Sequence, residues 1–178
     1  METGQDWKIA ALTFNIYVHF FCGGIMKNEF MLLAIKESLK AFDTDEVPVG
    51  AVIVQNGKVI AQAHNLKEYF NCTTKHAEMI AIEFASSKLK NWRLSDCDIY
   101  VTLEPCPMCA SAIKQSRIKN IYFGLRNSDA NNIKLIKTIL NKDNINTGVN
   151  IYGGYYQNSI KNNMKQFFKK RRNIDRNC

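Results

Sequence analysis

The chain has 178 residues, of which 46% are hydrophobic, with 24 Lys or Arg against 16 Asp or Glu and a formal net charge of +8. This length fits a single globular domain, and the hydrophobic share is too high for a disordered chain. Nine Gly and three Pro exclude a fibrous or low-complexity protein, and six unevenly spaced Cys are too few for a small disulfide scaffold. No apolar stretch is clean enough to predict a bilayer span. The cysteine usage favours a reducing compartment, so the sequence predicts a cytoplasmic protein.

Positive charge is concentrated at the C-terminal end of the chain. Residues 161–178 contain seven basic residues and one acidic residue, a net charge of +6, so residues 1–160 account for the remaining +2. Such a basic end predicts a polyanionic partner, with nucleic acid as the first candidate. A solvated helix end would carry the same charges, so charge alone leaves both interpretations open.

Residues 1–25 are predicted to be an extension outside the main domain. The run 9–22 is apolar, but Glu2 and Asp6 precede it and no small-residue cleavage site follows, which argues against a signal peptide. A conventional helical pattern opens at Met26. The sequence therefore predicts one domain over 26–173 and a short tail over 174–178.

From Met26 onward the pattern alternates helices and strands. Apolar residues at helical spacing predict helices over about 27–42, 75–89, 106–115, 131–141 and 155–173. Short apolar runs predict strands over 49–54, 58–63, 99–103, 118–123 and 149–152. Asn56 and Gly57 form a hairpin signal between the first two strands, and Gly124 is expected to close the fourth. The alternation predicts a three-layer α/β domain.

Two short motifs mark the starts of predicted helices. His76 and Glu78 open the helix over 75–89, and Cys106 and Cys109 open the next one, directly after a strand. Cysteines three apart on a helix point the same way, and the first turn of a helix favours thiolates. One His and two thiolates give the three ligands of a catalytic zinc site. His-x-Glu followed by Pro-Cys-x-x-Cys is also the signature of zinc deaminases.

Three other interpretations fit part of this pattern. A Cys-x-x-Cys pair after a strand is also typical of thioredoxin-like redox proteins, although this leaves His76 and Glu78 without a role. Cys72 lies four residues before His76 and is a candidate fourth ligand, which would make the site closed and structural. The cysteines are also a residue type that is commonly buried for packing alone.

Glu78 is the predicted catalytic acid and base. Zinc with two thiolates and a neutral imidazole has no formal net charge, so it acidifies water less than a three-His site does. A nearby base then becomes more important, and Glu78 stands two residues from His76 without being a ligand. A plain alternative is that Glu78 only stabilises the helix dipole.

From about Met26 to Arg172 the chain resembles the bacterial tRNA-specific adenosine deaminases, within the cytidine deaminase-like superfamily. The matching segments are EVPVGAVIV (46–54), HN (64–65), HAE (76–78), NWRL (91–94), YVTLEPCPMC (100–109), SRI (116–118) and YFG (122–124). The basic ending FFKKRR (167–172) resembles the RNA-contacting helix of that family. The metal motif is common to the superfamily, whereas EVPVGA and the basic ending favour the tRNA enzymes.

This resemblance implies a cytidine deaminase-like α/β/α fold with a mixed sheet of about five strands, and a homodimer with composite active sites. It implies zinc held by His76, Cys106 and Cys109, and hydrolytic deamination of a wobble adenosine to inosine in a tRNA anticodon stem-loop. It also implies that Asn65 binds the substrate base or sugar, although an Asn at this position is also a common turn residue. Arg117, Arg126 and the basic tail are candidate phosphate contacts.

Two other functions remain open. The same zinc centre serves deaminases of free nucleobases, nucleosides or nucleotides, of the cytidine or guanine type, which have no need of a basic tail. A zinc-stabilised RNA-binding module without turnover would need Cys72 as its fourth ligand.

Overall fold

The computed structural model describes residues 25–127, 130–140 and 148–175. These residues contain five helices: α1 (Ile25–Asp43), α2 (Ala77–Leu89), α3 (Pro107–Gln115), α4 (Ala130–Leu140) and α5 (Gln157–Asp175). They also contain five strands: β1 (Gly50–Gln55), β2 (Lys58–His64), β3 (Cys97–Leu103), β4 (Asn120–Leu125) and β5 (Asn150–Gly153). Residues 1–24 of the predicted extension, and 176–178 of the predicted tail, lie outside the described residues. The predicted domain bounds therefore stay a prediction.

The strands form one mixed sheet in the order β2-β1-β3-β4-β5. Strand β1 is antiparallel to both β2 and β3, and β3, β4 and β5 are parallel to one another. Asn56 and Gly57 both have positive φ, at 50° and 73°, as the predicted hairpin turn requires. Because only β1 runs the other way, the carboxyl ends of the other four strands lie at one edge of the sheet, here called the carboxyl edge.

Helices cover both faces of the sheet. In β1, Ala51 and Ile53 belong to one buried cluster, whereas Val52 and Val54 belong to a second cluster on the opposite face. The first face packs against α2, α3 and α4 through Ala81, Ile113 and Ile136, among others. The second face packs against Met31, Ala34 and Ile35 of α1. The three-layer α/β/α prediction is therefore confirmed.

Several predicted boundaries shift by one or two residues. The helix predicted from residue 75 begins at Ala77, because residues 66–75 form a loop whose ends are tied by a hydrogen bond from Leu66 N–H to the Lys75 carbonyl. The predicted closure of β4 at Gly124 is wrong. β4 runs from Asn120 to Leu125, after a turn in which Arg117 has a φ of 65°.

Within the part of the chain that the structure describes, every helix is too short or too polar to cross a membrane.

Candidate metal centre and active site

The residues predicted to carry chemistry follow the carboxyl ends of β2 and β3. Strand β2 is followed by Asn65, and the loop over 66–75 then leads to His76 at the start of α2. Strand β3 is followed by a two-residue connection to Cys106 at the start of α3. Because both strands end at the carboxyl edge, the two helix starts converge there.

His76, Cys106 and Cys109 come together at this point. Nδ1 of His76 lies 3.8 Å from Sγ of Cys106 and 3.6 Å from Sγ of Cys109. Zinc bonds of about 2.3 Å to sulfur and 2.0–2.1 Å to nitrogen, in tetrahedral geometry, separate such ligand atoms by about 3.6 Å. The donor set and its spacing therefore fit a zinc ion with one position open. Among the described residues no other His, Cys, Asp or Glu joins this group.

Cys72, the candidate fourth ligand, lies outside the group. Its Sγ is 3.3 Å from Oγ1 of Thr74, at the surface of the loop. The geometry therefore speaks against a closed four-ligand site. His64 also lies outside the group, since its Nδ1 is 2.9 Å from Oε2 of Glu37. The proximity of His76 to both thiols distinguishes this site from a simple redox pair of cysteines.

The three side chains of the group shift one another's pKa values. A hydrogen bond from the Cys109 thiol, together with one from His76, lowers the pKa of Cys106 to about 4. The bond to Cys106 raises the pKa of His76 in spite of its burial, and the bond between the two thiols raises the pKa of Cys109. Binding of a metal ion would displace the ligating protons of these side chains, because cysteine binds metals as a thiolate and histidine as a neutral imidazole.

Glu78 borders the group as a buried carboxyl. It lies in the first turn of α2 and is 4% exposed. Burial raises the pKa of Glu78 to about 7, although the neighbouring His76 and Cys109 act in the opposite direction. Glu78 is therefore close enough to interact with the ligands while remaining outside the metal-binding group.

Asn65 holds the start of α2. Its side chain is buried, and its Oδ1 accepts a hydrogen bond of 2.9 Å from the backbone N–H of Ala77. This bond fixes the orientation of the amide, so the two N–H groups of Asn65 are its remaining donors. Sequence reasoning proposed a contact with substrate and missed this capping role, because the two residues are twelve apart in the chain.

Two buried carboxylates beside the site were also missed. Oε1 of Glu46 accepts a 2.8 Å hydrogen bond from the N–H of Tyr69, and Oε2 of Glu104 accepts one of 2.9 Å from the N–H of Asn127. Both Glu46 and Glu104 are buried. The available signal was a glutamate next to an apolar residue and one or two positions before a proline, where burial with a backbone partner is possible. Each carboxylate ties a loop to the carboxyl edge.

A groove of about 870 Å³ lies between α5 and the carboxyl edge. The charged residues that line it are all basic: Arg126, Lys161, Lys165, Lys169 and Arg172. Val47, Leu103 and Phe168 contribute apolar surface, and Leu103 is three residues before Cys106 in the chain. The predicted basic tail therefore forms one wall of a groove at the carboxyl edge, the same edge at which the candidate metal ligands lie. Arg117 precedes β4 and Arg126 follows it, so Arg117 belongs to the opposite end of that strand.

Comparisons with known proteins agree with this geometry. The family model of the MafB19-like deaminases matches residues 25–172. The tRNA-specific adenosine deaminase of Bacillus subtilis is 38% identical over 143 residues, which cover 80% of this chain and 89% of that protein. A solved structure from a study of A-to-I editing by tRNA:A34 deaminases at the wobble position has a TM-score of 0.69 and 35% identity. That match covers 76% of this chain and 98% of the other.

A more similar stretch occurs in a much larger protein. Over 98 residues the chain is 54% identical to the chloroplastic tRNA(adenine(34)) deaminase of Arabidopsis thaliana. The match covers 55% of this chain and only 8% of that protein. By the family model and by similarity over most of its length to the bacterial enzymes, the chain belongs to the tRNA-specific adenosine deaminase family.

Proposed function

We propose that this protein deaminates adenosine to inosine at the wobble position of a tRNA anticodon by zinc-dependent hydrolysis. The observation that carries the proposal is a His-Cys-Cys group with a buried glutamate beside it, next to a groove whose charged residues are all basic. The similarity to tRNA-specific adenosine deaminases over four fifths of the chain supports the choice of substrate.

Nδ1 of His76 and the thiolates of Cys106 and Cys109 would hold the zinc ion. When bound there, zinc supplies the Lewis acidity that turns water into a nucleophile at neutral pH. Two of the three ligands are thiolates, which offset the charge of the ion and leave the site more dependent on a protein base than a three-His site is. Glu78 is the protein base that the site offers.

Glu78 moves the protons of the reaction. Its carboxylate accepts a proton from the attacking water and delivers it to N1 of the adenine ring as oxygen bonds to C6. The second proton from the same oxygen passes through Glu78 to the exocyclic amine, which leaves as ammonia, and the C6 carbonyl of inosine remains. Glu78 is buried and has little contact with bulk water. The groups with which it exchanges protons are therefore the attacking water and the substrate.

Asn65 orients the substrate. Its oxygen is occupied by the N–H of Ala77, so its two N–H groups are the donors that face acceptors on the base or the sugar. The same side chain therefore fixes the helix that carries Glu78 and positions the nucleotide against it.

The basic groove binds the RNA backbone. Five cations on α5 and after β4 line one surface, and their contribution decreases with rising salt as phosphates regain their counterions. An adenosine in an anticodon loop is already unpaired, so bringing it to the metal centre costs less than extraction from a duplex.

Assembly, location and domain limits are part of the proposal. The family resemblance supports a homodimer with composite active sites, and the cysteine usage supports the cytoplasm. The deaminase domain extends over 26–173, with residues 1–25 as an extension and 174–178 as a tail. A protein that begins at Met26 and keeps full activity would support these limits, and an unfolded product would refute them.

Product analysis of the zinc-loaded protein tests the function. One reaction contains an anticodon stem-loop RNA with adenosine at the wobble position, and a second contains free cytidine, adenosine and guanine. We expect inosine in the RNA and no turnover of the free compounds. Turnover of a free compound alone would replace the proposal with a nucleobase or nucleoside deaminase, for which replacing the exposed Lys161, Lys165 and Lys169 by Gln should leave activity unchanged. Zinc binding without any turnover would point to an RNA-binding module.

A further inference from the structure

The loop between β2 and α2 displays two neighbouring aromatic side chains at the surface. Tyr69 is 76% exposed and Phe70 is 53% exposed. Their rings meet edge to face, with centroids 4.9 Å apart and planes at 86°. Large aromatic rings usually bury most of their surface in a folded domain, so a pair left in water next to a functional site suggests a binding role.

The backbone beneath these rings is held firmly. The N–H of Phe70 donates to the Leu66 carbonyl at 3.1 Å, and the N–H of Cys72 donates to the Lys67 carbonyl at 3.0 Å. The buried carboxylate of Glu46 accepts the N–H of Tyr69 at 2.8 Å. The rings are therefore presented on a fixed support, which lowers the entropy cost of binding a ligand against them.

Phe70 braces Tyr69. The ammonium of Lys75 lies 5.7 Å from the centroid of the Phe70 ring, and Lys75 is itself paired with Glu83 at 3.2 Å. Tyr69 is the more exposed ring of the two and packs edge to face against Phe70. We call Tyr69 and Phe70 the aromatic platform.

The platform is connected through neighbouring residues both to the metal ligands and to the basic groove. Lys75, which contacts Phe70, is the residue before His76. On the other side, Glu46 binds the backbone of Tyr69 while its neighbour Val47 lines the groove. A strand of RNA that lies in the groove and places one base at the metal centre therefore passes the platform with an adjacent nucleotide.

The charges around the platform largely cancel. Lys67 is 3.6 Å from Glu68, and Lys75 is paired with Glu83. The platform therefore offers ring faces to a ligand more than it offers charge. A π-face is what an unpaired nucleobase needs for stacking, and stacking of this kind accepts any base.

We propose that Tyr69 stacks on the unpaired base next to the target adenosine, with Phe70 as its support. This inference rests on the proposed function and adds a contact that fixes the register of the RNA strand at the site. RNA is favoured over a second copy of the chain because the platform continues from a groove whose charged residues are all basic. A polyanion fits that continuous surface, whereas a second copy would bring its own basic groove against this one.

Binding of an anticodon stem-loop RNA to the full-length, zinc-loaded protein tests the platform. Tyr69→Leu keeps apolar volume and removes the ring, and we expect it to weaken binding by roughly 5- to 150-fold, the range seen for loss of one base–aromatic stack. Tyr69→Phe keeps the ring and should bind within about twofold of the wild type. Phe84→Leu is the matched control, because Phe84 is also an exposed aromatic, at 53%, but lies on α2 outside the loop.

An abasic nucleotide separates stacking from an indirect effect on folding. Placed 5′ or 3′ of the target adenosine, it should weaken binding to the wild type on one of the two sides and leave binding to Tyr69→Leu unchanged there. Equal weakening of both proteins on both sides would overturn the inference. So would a Tyr69→Leu protein that binds as tightly as the wild type, or one that changes only its oligomeric state.

The wild-type reaction distinguishes the two levels of failure. Inosine formation by the wild type with no effect of Tyr69→Leu on RNA affinity overturns the platform and leaves the proposed function standing. Absence of both RNA binding and inosine in the wild type overturns both.

Discussion

Two helices begin at the metal centre, and each begins in an unusual way. The N-cap of α2 is His76 and the N-cap of α3 is Cys106, and neither side chain caps its own helix. An N-cap residue is normally Ser, Thr, Asn or Asp, whose oxygen accepts a backbone N–H of the first turn. At both helix starts this position is occupied instead by a residue of the candidate zinc site.

The two helices make up for the missing side-chain cap in different ways. In α2, the N–H of Ala77 is satisfied from another element, by Oδ1 of Asn65 at 2.9 Å. In α3, Pro107 occupies the first helical position and has no N–H to satisfy. In α3 the compensating residue belongs to the helix itself, whereas in α2 the compensating hydrogen bond joins the helix to the end of β2. We therefore expect a change at the end of β2 to displace His76 and Glu78. The start of α3, in contrast, depends on residues of α3 itself.

The largest difference between the two helix starts is the acidic residue, since the first turn of α2 contains Glu78 and that of α3 contains no acid. Glu78→Gln keeps the shape of the side chain and removes its ability to carry a proton. We expect kcat for inosine formation to decrease by about 10²- to 10⁴-fold, as for loss of a general acid–base group. Zinc content, measured by metal analysis, should stay at that of the wild type.

Glu83→Gln is the control for this change. It is the same substitution on the same helix, at a side chain that is 63% exposed, is paired with Lys75 at the surface and is not part of the metal-binding group. Its kcat should match that of the wild type. Full activity of a zinc-loaded Glu78→Gln protein would remove Glu78 from the reaction.

Asn65→Ala tests the coupling between β2 and α2. It removes the oxygen that caps α2, so the free energy of unfolding should decrease by about 0.5–2 kcal/mol in a denaturant titration. Because the capped turn positions His76 and Glu78, we also expect kcat/KM to decrease by about 10- to 100-fold, a range typical of groups that orient metal ligands. Unchanged stability would mean that the bond from Ala77 to Asn65 contributes nothing to the helix start.

Asn65→Asp separates capping from substrate binding. Aspartate keeps an oxygen for the N–H of Ala77 and suits a helix N-terminus, but it lacks the two amide donors. We therefore expect stability within about 0.5 kcal/mol of the wild type, with kcat/KM lower by about tenfold for the lost hydrogen bond to the nucleotide. Steady-state kinetics on the stem-loop RNA checks this. An Asn65→Asp enzyme as active as the wild type would restrict Asn65 to its capping role.

The same comparison explains which parts of the site the sequence could predict. Cys106 and Cys109 are three residues apart at one helix start, and His76 and Glu78 mark another. Taken together as the signature of zinc deaminases, these two local motifs were enough to propose the metal group, although His76 and Cys106 lie 30 residues apart. The cap from Asn65 to Ala77 and the contact from Glu46 to Tyr69 join residues 12 and 23 positions apart. Such contacts depend on how a loop folds back, and no local periodicity encodes them.

The helices and strands were likewise predictable where their sequence signals are local. Short apolar runs predicted all five strands, and the Asn-Gly pair predicted the hairpin, because both signals are local. The start of α2 was placed two residues too early because Thr73 and Thr74 are typical N-cap residues, whereas the N-cap of the helix is His76. Strand β4 was predicted to end at Gly124, but it continues to Leu125, which pairs with Leu103 of β3.

Pro107→Ala tests the local solution in α3, and we expect the smallest effect. Alanine suits the first helical position sterically, but it restores an N–H and gives the unfolded chain more conformational freedom. The free energy of unfolding should decrease by about 0.4–1 kcal/mol, with zinc content and kcat/KM close to the wild-type values, because no element other than α3 depends on this residue for its cap. Denaturant titration and steady-state kinetics on the same preparation measure both. A loss of activity as large as that of Asn65→Ala would mean that α3, too, relies on its first residue to place Cys106, and the two helix starts would then be equally dependent on their compensating residues.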